Sequence, residues 1–271
     1  VTVLNLLSLS QSRYDLYYDE LDDRFKIDDY FKDGIISLIK AVDKINLLML
    51  QKQINGKLSL LLRSDIFHIL NDPDLNKIRM DNSLYIHWGN KVDEKSPLFE
   101  LIITKAEASA PVLAEQTNKE VFDKLFPQHI KGIDPARYIL ERTLFRPRDL
   151  VSMLNLIIEK FPDSNYFGWK GFIDTKKEYS EYFLQEIRNE MYGHVSDNFI
   201  DEAIRFLKQF NKYKFDYTEI EKFLKENSSR YPSLYIDSML DTLFKFNVIG
   251  NCWYNEYKGK NYYCWAFRDP K

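Results

Sequence analysis

Residues 14–20 read Tyr14-Asp15-Leu16-Tyr17-Tyr18-Asp19-Glu20 and run on into Leu21-Asp22-Asp23, a short apolar segment that ends in carboxylates. Leu16, Tyr17 and Tyr18 carry the signal of a short buried strand, and the abrupt change to acid marks its end. An acidic pair at the carboxyl edge of a parallel sheet has a definite chemistry. Asp19 is placed to hold Mg²⁺ and its waters, and Glu20, one residue on, to polarise an attacking water. A solvated acidic loop after any strand has the same composition, so the surrounding sequence has to decide.

Downstream, Ile35, Ile36, Ile39, Val42 and Leu50 recur at roughly helical spacing and predict a helix over about 29–53, stopped at Asn55-Gly56. Residues 58–62 read as a second buried strand followed by the polar Arg63-Ser64-Asp65, and 83–88 as a third. Strand, long helix, strand, short crossover and strand is the rhythm of a parallel α/β sheet. From about 97 onward the strand signals stop. Thr117-Asn118-Lys119-Glu120 fits a capping box with Val121, Phe122, Leu125 and Phe126 behind it. Asp134-Pro135 and Arg146-Pro147 each open a helix, the second running to Phe161. An irregular stretch, 162–171, closes this helical module. Helices at about 175–192 and 197–211, a short strand at 215–218, helices at 218–226 and 233–246, and strands at 248–256 and 261–268 joined across 257–260 follow the order of a winged helix. The expected domains are 1–110, 111–172 and 173–271.

Composition narrows the class. The 271 residues hold 38 Lys and Arg against 41 Asp and Glu, a net charge of −3, so no global field draws the chain to nucleic acid. Hydrophobic residues make up 45%, enough for real cores, yet no uncharged apolar run is long enough to span a membrane. Cysteine occurs twice, at Cys252 and Cys264, which excludes a disulfide scaffold and favours a reducing cytoplasm. The two lie roughly opposite in the terminal hairpin and are expected as buried thiols. His68, His87, His129 and His194 show no ligand-pair spacing. The hairpin aromatics, among them Trp253, Tyr254, Tyr262 and Trp265, are expected to pack on the helices and in cross-strand pairs.

The acidic end of the first strand matches a Walker B motif. Arg63, at the end of the next strand, stands where a first sensor would meet a γ-phosphate, and Arg146 and Arg148 open a helix from which a cation can reach phosphates. Together the blocks DELDDRF, LLRSDIF and RPRDL resemble bacterial P-loop ATPases of the AAA/STAND type over nearly the whole chain. That resemblance implies a partial parallel-sheet core, a helical lid and a C-terminal winged helix. It also implies Asp19 as the magnesium-side acid, Glu20 as the water-activating base, Arg63 as first sensor and Arg148 as lid sensor, with Arg146 as its alternate. ATP and Mg²⁺ are the implied cofactors, and the implied role is a nucleotide-dependent switch in antiphage defence, signalling or nucleic-acid handling.

One departure is severe. None of the nine glycines begins a G-x-x-x-x-G-K-S/T loop, and too few residues precede Tyr14 for a strand, loop and helix. The expectation is the C-terminal part of a cytoplasmic ATPase that hydrolyses nothing alone. The competing expectation is a non-enzymatic DNA-binding or protein-interaction module on a degenerate ATPase scaffold. Residues 199–271 carry 12 Lys and Arg against 10 Asp and Glu, and the would-be recognition helix bears Asp237 and Asp241. The winged helix is therefore expected to serve self-association or a protein partner and not to read DNA sequence.

Overall fold

A computed structural model describes residues 2–21, 28–89 and 91–266. The fold is mostly helical, with one parallel and one antiparallel pair of strands among the described residues. The chain divides into two compact units, Val1–Ile86 and His87–Lys271.

The first unit opens with α1 (Thr2–Leu7) and β1 (Tyr14–Tyr18), crosses through α2 (Asp29–Gln51) and returns in β2 (Gly56–Leu60), parallel to β1 and in register from Tyr14 opposite Gly56 to Tyr18 opposite Leu60. The Asp28 carboxylate caps α2 by accepting from the Phe31 amide at 2.6 Å. Ile35, Val42 and Met49, seven residues apart, give α2 a single narrow buried stripe. Gly56 is required where it stands, because a Cβ there would lie 2.3 Å from the Tyr14 carbonyl oxygen. α3 (Ser64–Ile69) and α4 (Pro73–Asn82) complete the unit. Lys40 on α2 donates to Asp72 at 2.8 Å and Asp74 at 2.9 Å, tying α2 to the start of α4.

Among the described residues this sheet has two strands. Residues 83–88, expected as a third strand, run without secondary structure, with Leu84, Tyr85 and Ile86 largely exposed. An apolar run becomes a strand only where a neighbouring edge can satisfy its backbone. The outer edge of β2 is occupied at its middle. Asn46 of α2 donates to the Leu58 carbonyl at 2.9 Å and accepts from the Leu58 amide at 2.8 Å, so a side-chain amide stands where a strand would pair. Of the partial parallel-sheet core expected from the sequence, the described residues show this one parallel pair and no larger parallel sheet.

The second unit is built on two apolar clusters. α5 (Pro97–Ser109), α6 (Asn118–Leu125), α7 (Pro135–Leu140), α8 (Pro147–Lys160) and α9 (Trp169–Asp174) surround the first, and α10 (Lys176–Met191) carries Tyr179 into it and Ile187 and Met191 into the second. The Thr117 capping box forms as expected, with the Glu120 carboxylate accepting from the Thr117 amide at 2.8 Å. Phe99, fully buried, meets Phe122 and Phe126 edge-on with ring centres 5.0 and 5.5 Å away.

α11 (Asp197–Phe210), α12 (Tyr217–Glu226) and α13 (Ile236–Lys245) enclose the second cluster, and β3 (Asn251–Asn255) pairs antiparallel with β4 (Lys260–Cys264). This is the helix–helix–helix–hairpin order without the short strand expected at 215–218. There the Asp216 amide donates to the Glu219 carboxylate at 3.1 Å, which starts α12 instead of a strand. A winged helix is accordingly not established. The hairpin departs in detail too. Cys252 pairs with Tyr263 and Asn251 with Cys264, so the two cysteines occupy adjacent registers on opposite faces, and Cys252 is exposed. Trp253 stacks across the strands on Tyr262, but Trp253, Tyr254 and Tyr263 are all about half exposed and belong to neither cluster.

Candidate functional site

The parallel register of β1 and β2 places the ends of both strands on one edge. The Leu61 amide donates to the Tyr18 carbonyl at 2.8 Å, which holds the exits of the two strands together. Asp19 and Glu20 leave β1 there, and Arg63 leaves β2 three residues after Leu60. Three of the residues singled out in the sequence thus share a carboxyl edge joined by a helical crossover, the arrangement in which α/β proteins gather ligand-binding groups.

The local geometry of that edge is specific. Asp19 accepts from the Glu20 amide at 2.8 Å, and Glu20 sits at φ 59°, in the left-handed region that residues other than glycine seldom occupy. Both carboxylates are exposed. Arg63 folds its guanidinium onto Asp65, Nε to Oδ1 at 3.1 Å and Nη2 to Oδ2 at 2.7 Å, the ion pair that is the plain alternative to a sensing role. The second half of the DELDDRF block, residues 22–25, lies outside the described residues.

Arg146 and Arg148 belong to the other unit, where they behave differently from one another. Leu144 and Phe145, both buried, take positive φ values of 47° and 56° and turn the chain into α8 with Arg146 at its N-cap. Arg146 donates through Nη2 to Glu190 of α10 at 2.8 Å, and its Nη1 lies 4.0 Å from Asp149. Arg148 points outward, with its side chain 79% exposed and a single long contact, 3.4 Å, to Glu186. Arg146 is a strut between α8 and α10. Arg148 is the cation that a phosphate could engage.

Beneath Arg146 lies a carboxylate to which sequence reasoning gave no role. Asp149 is 1% exposed, its Oδ1 accepts from the Tyr182 hydroxyl at 3.0 Å, and its Oδ2 has no hydrogen-bond partner. Burial pushes the Asp149 carboxyl up to about 6, against the pull of the Tyr182 hydroxyl and of Arg146. Burial and the neighbouring Asp149 likewise raise Tyr182, to about 12, and Tyr179, whose hydroxyl donates to the Arg142 carbonyl at 2.9 Å. The Asp in the RPRDL block was the available signal, at the third position of a helix where a carboxylate suits the dipole. Its burial against α10 was not legible.

Residues 96–188 match the model of a FunZ-associated C-terminal helical domain. That stretch spans α5 to α10 except for the last residues of α10, so it covers Arg146, Arg148, Asp149 and Tyr182, and it is helical as the description says. The chain is also 26% identical over 190 residues to the putative transposon gamma-delta 80.3 kDa protein of Escherichia coli (strain K12), a match covering 69% of this chain. It spans only 25% of that relative's length. No solved structure matches. Neither the family nor the relative is named as an ATPase. Among the described residues, no helix is long and apolar enough to cross a membrane.

Proposed function

We propose that this chain is the C-terminal part of a P-loop ATPase of the AAA/STAND type acting as a nucleotide-dependent switch, with Asp19 on the magnesium side, Glu20 activating water and Arg63 and Arg148 contacting phosphates. The observation that carries the reading is the shared carboxyl edge. Asp19, Glu20 and Arg63 lie at the ends of two adjacent parallel strands joined by a helix. Arg148 supports it as an exposed cation at the head of α8. No phosphate-binding glycine loop stands in these 271 residues, so the proposal requires one from elsewhere in a longer protein. A relative about four times the length of the matched segment is compatible with that, and its transposon name is compatible with nucleic-acid handling.

The test uses the full-length product of the gene that encodes this chain. Glu20→Gln is expected to keep Mg-ATP binding and to remove most turnover, because the Mg²⁺ ligand remains while the water is no longer activated. Turnover at the parental rate sinks the assignment. A non-enzymatic module on an ATPase-like scaffold is the second reading, and the bidentate Arg63–Asp65 pair favours it. Absence of Mg-ATP binding to the full-length protein by calorimetry would establish that alternative.

A further inference from the structure

α11 presents Arg205, Lys208 and Gln209 at i, i+3 and i+4, on one face. A short 3₁₀ turn, Ser228–Arg230, brings Arg230 beside them. The turn is locked in place by its neighbour Tyr231, which is 5% exposed. The Tyr231 ring packs edge-on against Phe206 with centres 5.4 Å apart, and its hydroxyl donates to the Gln209 side-chain oxygen. These five residues line an open cleft of about 650 Å³ containing three cations and no carboxylate.

The nearest acids on α11 are committed elsewhere. Glu202 accepts from the Ser233 amide at 2.8 Å and from its hydroxyl at 3.2 Å, and Asp201 pairs with Arg188. Arg205 uses its Nε on the Asp201 carbonyl at 3.3 Å and is exposed. Among the described residues, neither Lys208 nor Arg230 has a carboxylate partner. Three unneutralised cations at one cleft repel each other, an arrangement that costs free energy unless an anion relieves it.

We infer that this cleft binds the phosphate backbone of duplex nucleic acid without reading its sequence. The open shape suits a polymer running across it better than a small anion held inside. The only ring in the lining, Tyr231, is buried against Phe206, so no aromatic platform is offered to unstacked bases. Cations with no base-reading helix beside them neutralise phosphates and carry no sequence information. The inference places the contact on α11 and the 3₁₀ turn, and not on α13, which carries Asp237 and Asp241, or on the hairpin lysines Lys258 and Lys260, which lie over Tyr262. It holds whether or not the chain belongs to an ATPase, and its test contains no nucleotide triphosphate.

The experiment is fluorescence anisotropy of the 271-residue chain with labelled duplexes of several unrelated sequences, titrated at about 50 and 200 mM salt. The parent is expected to bind all duplexes alike and more weakly at the higher salt. Combined Arg205→Ala, Lys208→Ala and Arg230→Ala is expected to weaken binding at least about tenfold and to reduce the salt slope by about 2 to 3. Lys258→Ala with Lys260→Ala should leave affinity within about twofold. Lys208→Glu alone, at an exposed position with no intramolecular partner, secures the result should the triple variant fold poorly. No duplex binding by the parent at the lower salt overturns the inference. So does tighter binding of single strands, displacement by millimolar inorganic phosphate alone, or loss of binding only in the hairpin variant.

Discussion

The two units solve the problem of burial in opposite ways. In the first, Ile35, Val42, Met49, Ile54, Ile66 and Leu75 are the buried apolar side chains among the described residues, while Leu16, Tyr17, Leu47, Leu50 and Leu61 stay exposed beside them. A parallel sheet is normally covered on both faces, and a two-stranded pair is marginal by itself. In the second unit, every helix from α5 to α13 places side chains in one of two dense aromatic and aliphatic clusters. The contrast teaches that the second unit has its own reason to fold, whereas the first exposes apolar surface that only further contacts would remove from water.

Separating the units is the sharpest way to break this contrast. Residues 87–271 alone should unfold cooperatively on heating, and residues 1–86 alone should show no cooperative transition by circular dichroism. A sharp melt of the isolated first unit would show that six buried side chains suffice and would remove the distinction.

A smaller effect comes from single truncations in each region. Phe99→Ala should lower stability by about 3–5 kcal/mol, since the ring is fully buried between Phe122 and Phe126. Leu16→Ala, at a side chain 46% exposed, should cost less than about 1 kcal/mol. Denaturant melts of the two variants measure the ratio directly, and equal losses would contradict the picture.

Asp149 gives the smallest effect and sharpens the account of the second unit. Its folded carboxyl, near 6, lies above the ordinary value of 3.8, so the folded state holds the proton more tightly than the unfolded chain. Its contribution is neutral below about pH 4, becomes unfavourable as pH rises between the two values, and is fully unfavourable above about pH 6. Asp149→Asn keeps an acceptor for the Tyr182 hydroxyl and removes the charge. Relative to the parent, it should gain about 2 kcal/mol of stability between pH 4 and pH 7. A difference that stays flat with pH would mean that the carboxylate is solvated or well paired in the folded protein.

Local chemistry was readable from the letters alone. Thr117 with Glu120 and Asp134 before Pro135 set helix starts within a few residues because a cap satisfies amides of its own turn, and Pro147 after Arg146 does so because its fixed φ suits the first helical position. The strand before Asp19-Glu20, its parallel partner and the terminal hairpin were equally legible as runs of apolar and β-favouring residues, but the burial expected of the first was not borne out, since Leu16, Tyr17 and Tyr18 are exposed. The tertiary structure decided what depends on distant neighbours. Residues 83–88 have strand-like composition yet join neither strand, and Asn46 occupies the outer edge of β2 at Leu58. Residues 215–218 looked like the short strand of a winged helix until Glu219 started a helix there. Arg146 and Arg148 look interchangeable in sequence, yet α10 holds the first with Glu190 at 2.8 Å and gives the second, which stays largely exposed, a longer contact from Glu186 at 3.4 Å. Arg205, Lys208 and Arg230 are separated by a whole helix, and only the packing of Tyr231 on Phe206 makes them one cleft. A cap or a strand signal is complete within a few residues, whereas burial, pairing and charge convergence are properties of surfaces that come together when the chain folds.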